Sequence, residues 1–115
     1  MDLKAKIIEA AQRATSKLTA VKVWGEDAHI RVMSGTERDQ WESQIIENGK
    51  VVKDQFRVKL LVKVLADETG KRLFSDDEIG TLSGMESVEI DRLYTIASKV
   101  NGLSKSDVDE LTKNS

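Results

Sequence analysis

The first segment of the chain alternates apolar and polar residues with the period of a helix. Its apolar positions fall three or four residues apart: Leu3, Ile7, Ala10 and Ala14. That spacing lines one face of an α-helix, while charged residues such as Lys6 and Glu9 occupy the other faces. The pattern fades after Thr15, so we expect an N-terminal amphipathic helix within residues 1–19.

The period changes to two between residues 20 and 33, which is typical of β-strands. Val21 and Val23 share one side of a first strand. The apolar residues that share one side of a second strand are Ala28, Ile30 and Val32. The run WGED lies between them and contains a glycine, as hairpin connections often do. The pattern predicts a two-stranded β-hairpin, which must pack on helices or on another strand to be stable.

A second helix is predicted to begin after Ser34. Ser34 and Glu37 match a capping box, in which each side chain accepts a hydrogen bond from the other residue's backbone N–H group. The apolar residues on one side of this helix are Trp41, Ile45 and Ile46. Asn48-Gly49 is a helix-ending signal, so we expect the helix to close there.

The most apolar stretch follows and predicts the central helix of the core. We expect this helix to begin at Asp54 and to end at Asp67–Gly70, where Gly70 suits the left-handed residue after a helix. Its apolar residues cover most of its surface: Phe56, Val58, Leu60, Leu61, Val62, Val64 and Leu65. Three basic residues alternate with them, and we expect these at the solvated edges of the helix. They are Arg57, Lys59 and Lys63.

The stretch FSDDEIGTL carries three acids in a row and raises the question of a metal site. A calcium loop needs oxygen ligands at alternate positions. The surrounding run DETGKRLFSDDE has basic and large apolar residues where those ligands should be. We therefore interpret the acids as part of a helix start.

The helix start explains residues that a metal site leaves unexplained. Ser75 lies three residues before Glu78, which matches a second capping box. Phe74 and Ile79 occupy the two positions of a hydrophobic staple, and the adjacent acids lie in the first turn. Asp76 is one of these acids, and the helix dipole stabilises a negative charge at that position.

Two more helix starts are predicted from the same spacing of a serine and an acid. Ser83 and Glu86 precede the last long helix, which Asn101-Gly102 ends. The apolar residues on one face of this helix are Ile90, Leu93, Ala97 and Val100. A short C-terminal helix is expected after Ser104, in the segment 103–115.

These elements predict a mainly α fold: a single small helical domain of about five or six helices, with a two-stranded β-hairpin near residues 20–33. The chain has 115 residues, a length that suits one domain spanning residues 1–115. We expect Met33, Met85 and Trp41 to belong to the core of this domain rather than to a cofactor site.

No combination of reactive residues in the sequence indicates an enzyme. The chain has no cysteine, and His29 is its single histidine, whereas metal sites usually recruit several such ligands. The glycines are scattered and form no phosphate-binding motif. We therefore expect a non-enzymatic protein with no catalytic residues, no cofactor and no metal.

The charge and the hydropathy narrow the classes of partner. A net charge of −2 argues against binding to nucleic acid, which needs a basic excess. No apolar run approaches the roughly 20 residues that span a bilayer, so no membrane partner is expected. A protein that binds other proteins is the interpretation that remains. The alternative left open is a small helical regulatory or DNA-associated interaction protein.

Three stretches resemble the tail assembly chaperones of long-tailed bacteriophages and prophages. The first is HIRVMSGTERDQWE, a strand followed by a capped helix. The second is FRVKLLVKVLADETGKRLFSDDEIGTLSG, an apolar helix, an acidic turn and a short capped helix. The third is IDRLYTIASKVNGLSKSDVDEL near the C-terminus. The resemblance extends over most of residues 20–111 and rests on spacing and local phrases.

This resemblance implies a function and a set of partners. Proteins of this family bind the tape measure protein, keep it soluble and help to recruit tail tube subunits. The implied partners are the tape measure protein and the tail tube protein, with other copies of the chain as a further candidate. The implied location is the host bacterial cytoplasm, and the protein is not expected in the mature virion.

The C-terminal segment supplies the candidate partner-binding residues. Leu103, Val108 and Leu111 have the spacing of one apolar face on a short helix. A helix of roughly two turns is marginal in water unless that face is docked. The three side chains are expected either to pack on the body of the protein, which is the favoured alternative, or to contact a partner.

Overall fold

The computed structural model describes residues 2–51 and 55–103. This part of the chain contains five α-helices: α1 (Leu3–Thr15), α2 (Gly35–Ile45), α3 (Phe56–Val64), α4 (Ile79–Ser83) and α5 (Ser87–Val100). It contains five strands: β1 (Leu18–Val23), β2 (Glu26–Arg31), β3 (Ile46–Glu47), β4 (Lys50–Val51) and β5 (Leu65–Ala66). A 3-10 helix, Asp76–Glu78, leads directly into α4. The fold is therefore mixed α/β rather than strictly mainly α.

The predicted hairpin is confirmed, although its turn is tighter than expected. Strands β1 and β2 pair antiparallel with Val23 opposite Glu26, so Trp24-Gly25 alone connect them. Both turn residues have positive φ, 47° at Trp24 and 83° at Gly25. That combination defines the two-residue turn whose twist matches paired strands. The expected connection WGED is thus wrong, because its two acids belong to β2.

A third strand replaces the end of the predicted central helix. Helix α3 stops at Val64, and Leu65 turns to extended backbone with φ −71° and ψ 128°. Leu65 then pairs with Ile30 of β2, which gives the sheet order β1-β2-β5. The prediction that the helix continues to Asp67 is wrong. The reason is that an unbroken apolar run fits a buried strand as well as a buried helix.

A second, two-stranded ribbon replaces the predicted end of α2. The helix stops at Ile45, and β3 and β4 pair antiparallel across Asn48-Gly49. These two residues have φ of 54° and 77°, the conformation that the Asn-Gly pair favours in tight hairpins. Asn-Gly was therefore a hairpin turn and not a helix stop. The predicted start of α3 at Asp54 lies outside the described residues.

The core is built around α3. Its apolar side chains are buried on all sides: Val58, Leu60, Leu61, Val62 and Val64. They pack with buried residues of α2 (Trp41, Ile45), α4 (Leu82) and α5 (Ile90, Leu93, Ala97). At one end of α3, the ring of Phe56 lies 5.8 Å from that of Trp41 and 5.7 Å from that of Tyr94. Tilted rings at such distances add to the packing energy.

Two of the predicted capping boxes are confirmed. At the start of α2, Ser34 N donates to Glu37 Oε1 at 2.9 Å, and Glu37 N donates to Ser34 Oγ at 3.2 Å. Ser75 and Glu78 form the second box, which opens the 3-10 helix. The box predicted at Ser83 is wrong, because Ser83 is the last residue of α4. Its hydroxyl donates to the Ile79 carbonyl instead.

The two methionines expected in the core have different environments. Met33 is buried at the end of β2, as predicted. Met85 lies in the short connection between α4 and α5 and is exposed, so its expected place in the core is wrong. The N-terminal helix is confirmed within the predicted segment, but none of its residues is buried.

Replacing Leu61 by alanine tests the central place of α3. Leu61 is fully buried, so Leu61→Ala should lower the free energy of unfolding by about 2–5 kcal/mol. Val88→Ala is the control, because Val88 is 73% exposed and its truncation should change that free energy by less than about 0.5 kcal/mol. Chemical denaturation followed by circular dichroism measures both. Equal effects of the two substitutions would contradict the assignment of the core.

Candidate interaction surface

The structure places one of the three predicted partner-binding residues in the core. Leu103 is 4% exposed and packs in the main apolar cluster. It follows Gly102, whose φ of 69° reverses the chain, and Leu103 N donates to the Ser98 carbonyl at 2.7 Å. This is the backbone pattern that closes helices after a left-handed residue. Val108 and Leu111 lie outside the described residues, so their role stays a prediction.

Asn101 joins the end of α5 to the end of β2. Its side-chain oxygen accepts a hydrogen bond from Met33 N at 2.7 Å, and its side-chain nitrogen donates to the Arg31 carbonyl at 3.2 Å. Sequence reasoning assigned Asn101 only to the end of the helix. Its second role depends on β2, a segment about 70 residues away in the chain. Helix end and sheet are thus held together through one amide side chain.

Lys63 does not lie at a solvated edge, as the sequence predicted. It is 3% exposed, and its Nζ lies 3.1 Å from Asp76 Oδ2. Two further groups donate to the same carboxylate: Arg72 Nη2 at 2.8 Å and Gln44 Nε2 at 3.0 Å. Lys63 is buried because the 3-10 helix crosses the end of α3 and brings a carboxylate to it. Arg57, by contrast, is exposed and pairs with Asp91 at 2.9 Å.

The electrostatics of Asp76 follow from these donors. The hydrogen bond from Arg72 lowers the pKa of Asp76 to about 2, although burial acts in the opposite direction. The hydrogen bonds from Gln44 and Lys63 contribute to the same lowered pKa. A carboxylate held by several donors stays ionised and acts as a fixed anion. Asp76 therefore joins α2, α3 and the 3-10 helix, beyond the helix-dipole role predicted for it.

A second ionic contact joins α5 to the free edge of the sheet. Strand β1 lies at that edge, and Trp24 N donates to Glu89 Oε2 at 2.8 Å. Arg92 donates to the Lys22 carbonyl and to Glu89. The hydrogen bond from Arg92, followed by that from Trp24, lowers the pKa of Glu89 to about 2. One backbone group of the edge strand, the Lys22 carbonyl, and one of the turn after it, Trp24 N, are thus occupied, which protects the turn end of β1 from pairing with other strands.

The charged groups of the two ionic clusters are paired with one another. Within residues 2–51 and 55–103, no three His, Cys, Asp or Glu side chains are grouped as metal ligands. His29 lies in β2, as expected, and its Nδ1 is buried without a hydrogen-bond partner among the described residues. In the same part of the chain, no helix has both the length and the hydropathy to cross a bilayer.

The exposed apolar side chains are the remaining candidates for function. One group lies on α1, where Leu3 is 72% and Ile7 is 58% exposed, with Ile8 beside them. A further exposed apolar side chain, Met85, lies at an open groove between the starts of α3 and α5. This groove is lined in part by Phe56, Met85 and Ile90. Exposed apolar surface of this kind marks sites of protein interaction more often than isolated side chains do.

Comparison with known proteins identifies the fold. No protein-family model matches the sequence, and a search of curated proteins finds no significant match. A search of solved structures finds the tail assembly chaperone of bacteriophage HK97, with a TM-score of 0.59 and 23% sequence identity. The match covers 86% of this chain and 98% of that chain. The chain has the fold of that chaperone.

This match confirms the resemblance that short stretches of the sequence carried. The shared fold extends over nearly the whole length of the chaperone. The similarity is therefore not limited to the helix starts in the quoted stretches of sequence.

Replacing Asp76 tests the ionic cluster at the end of α3. Asp76→Asn removes the charge opposite the buried Lys63, so the free energy of unfolding should fall by about 1–3 kcal/mol. Asp77→Asn is the matched control, because it removes the same charge from the same helical turn at an exposed position. Thermal and chemical denaturation measure both. If the two substitutions cost the same, Asp76 acts only through the helix dipole.

The lowered pKa values predict a loss of stability in acid. Asp76 and Glu89 have folded pKa values of about 2, below the ordinary values of 3.8 and 4.5. Both carboxylates therefore stabilise the fold above about pH 5, and this contribution is lost as the pH falls toward about 2. The double variant Asp76→Asn, Glu89→Gln should show a flatter dependence of stability on pH over that range. An unchanged pH dependence would contradict the ionic pairing.

Proposed function

We propose that the protein is a non-enzymatic phage tail assembly chaperone. It binds the tape measure protein, keeps it soluble and helps to recruit tail tube subunits. It acts in the host bacterial cytoplasm and is absent from the mature virion. The observation that carries this proposal is the shared fold with the HK97 tail assembly chaperone, which extends over 98% of that chain.

The surface of the protein supports a role in binding another protein. The most exposed of the large apolar side chains in the described part of the chain are Val88, Leu3 and Ile7, all on helices at the outside of the fold. A chaperone for a long helical protein needs apolar surface that remains accessible until the partner arrives, in the manner of an amphipathic helix laid against an apolar face. The charged clusters around Asp76 and Glu89 leave these side chains uncovered.

Co-expression with a tape measure protein tests the proposed function. The partner is the tape measure protein encoded by the same phage or prophage, produced in a bacterial host with and without this chain. We expect the tape measure protein to be insoluble alone, and to be soluble and to co-purify with the chain when both are present. An unrelated helical protein of similar size is the control for a general effect of co-expression.

Two results would contradict the proposal. The first is a tape measure protein that stays insoluble in the presence of the chain. The second is strong, salt-dependent retention of the purified chain on duplex DNA near physiological salt, which would favour the DNA-associated alternative.

A further inference from the structure

Helix α1 is folded without a tertiary partner among the described residues. None of its residues is buried, and Leu3 and Ile7 expose most of their side-chain surface. Its stability comes from local contacts: Ala5 N donates to the capping Asp2 Oδ1 at 2.8 Å, and Arg13 pairs with Glu9 at 3.0 Å. An isolated helix of 13 residues is marginal in water. An apolar face that is left uncovered on such a helix points to a docking partner.

The apolar stripe of α1 has a definite shape. At 3.6 residues per turn, one continuous stripe forms along the helix. Its members are Leu3, Ile7, Ala10, Ala11 and Ala14. The large side chains lie toward the N-terminal end and the alanines lie toward the C-terminal end. Small residues let a second helix approach closely, because the distance between helix axes depends on the side chains in contact.

The charges of α1 are arranged around this stripe. On the same helical projection, Lys6 borders one edge and Lys4 borders the other, with Ile8 just beyond Lys4. Glu9 lies on the opposite side of the helix, where it pairs with Arg13. Neither Lys4 nor Lys6 has an ion-pair partner within the described part of the chain. The stripe is thus flanked by two cations, and the nearest acid points away from it.

The charge of the whole segment agrees with this arrangement. Residues 1–17 contain four basic and two acidic residues, whereas the full chain has a net charge of −2. The N-terminal segment is therefore a cationic part of an otherwise acidic protein. A partner that covers the stripe and neutralises its edges must present an apolar surface with acids on both sides.

We propose that the apolar stripe of α1 is the docking surface for an amphipathic helix that carries acidic residues beside its own apolar face. This inference rests on the proposed function and deepens it, because it assigns such a helix to the tape measure protein and gives the surface that holds it. The apolar contact provides affinity, and the two lysines fix the orientation of the helix and exclude partners with basic edges.

Two other occupants fit the stripe less well. Pairing α1 with the α1 of a second copy would bring stripes together that are both edged by lysines, and like charges at a contact are repulsive. Helices that lie in a membrane interface combine bulky apolar residues with a strongly basic polar face. Here more than half of the stripe is alanine, and the polar face contains Glu9 and Asp2.

A peptide titration with the full-length chain tests the chemistry of this surface. The probe is a fluorescent synthetic helix with a leucine stripe flanked by glutamates, and its counterpart has lysines in place of the glutamates. The acidic probe should bind the chain, and the variant Leu3→Ser, Ile7→Ser should bind it at least tenfold more weakly. The matched control is Gln12→Ser, which places the same new side chain outside the stripe and should bind as the unaltered chain does.

The charged edges are tested by exchange of their sign. The variant Lys4→Glu, Lys6→Glu should lose affinity for the acidic probe and gain affinity for the lysine probe. Because α1 is not part of the core, all variants should keep the melting temperature of the unaltered chain. Equal binding of the acidic probe by the stripe variant, no effect of the sign exchange, or binding only to vesicles of anionic phosphatidylglycerol would overturn the inference. Loss of a self-association step by the stripe variant, without any change in probe binding, would overturn it as well.

Co-expression then separates this inference from the proposed function. If the unaltered chain keeps the tape measure protein soluble and the stripe variant does not, both stand. If the unaltered chain and the stripe variant keep the tape measure protein soluble equally well, the proposed function stands and the docking surface on α1 is wrong. If the unaltered chain does not keep the tape measure protein soluble, the proposed function fails, and the assignment of the partner helix fails with it.

Discussion

The architecture depends on the need to enclose α3. This helix has nine residues, and its apolar side chains point in every direction, so no face of it can be left in water. Buried side chains of α2, α4 and α5 pack against α3. Directly after α3 ends, Leu65 joins the sheet by pairing with β2. The switch from helix to strand at Leu65 follows from the same need. A buried segment must pair its backbone groups, and β2 offers an edge at that point.

Enclosing α3 also buries one of its charged residues. Lys63 loses nearly all contact with water, and an unpaired buried ammonium group would be strongly destabilising. Asp76 provides the counter-charge for Lys63. Its carboxylate accepts hydrogen bonds from Lys63, Arg72 and Gln44. The acidic stretch that first suggested a metal site therefore provides the counter-charge for a lysine inside the fold. Its capping role and its ionic role are compatible, since the capping box uses Ser75 and Glu78 while the Asp76 carboxylate contacts Lys63.

Local features of the fold were predictable from the sequence, and features set by distant residues were not. The capping boxes at Ser34 and Ser75 involve residues three positions apart, so the letters alone contain the whole interaction. Asn48-Gly49 suits either a helix end or a tight hairpin, and the pairing of β3 with β4 decides between them. The burial of Lys63 depends on the path of the chain around α3, which no local pattern shows.

The candidate docking surface on α1 was also only partly predictable from the sequence. The periodicity of α1 predicts an amphipathic helix, and such a helix ordinarily implies a covered face. That no described residue covers its stripe is a fact of tertiary structure. For Leu103 the favoured expectation was packing on the body of the protein, and its side chain is buried in the core. An enclosed core beside an exposed outer helix suits the proposed function, since a partner could displace water from α1 without disturbing α3.

Hydrogen exchange of the free, full-length chain tests this division most directly. Amide protons in α3 should exchange only through global unfolding, whereas those in α1 should exchange through local fraying, because none of its residues is buried among residues 2–51 and 55–103. The account therefore predicts the slowest exchange at residues 58–64 and rapid exchange throughout residues 5–15. Protection of α1 equal to that of α3 in the free chain would mean that its apolar stripe is already covered. That result would contradict the claim that an open helix outside an enclosed core is the surface on which this protein acts.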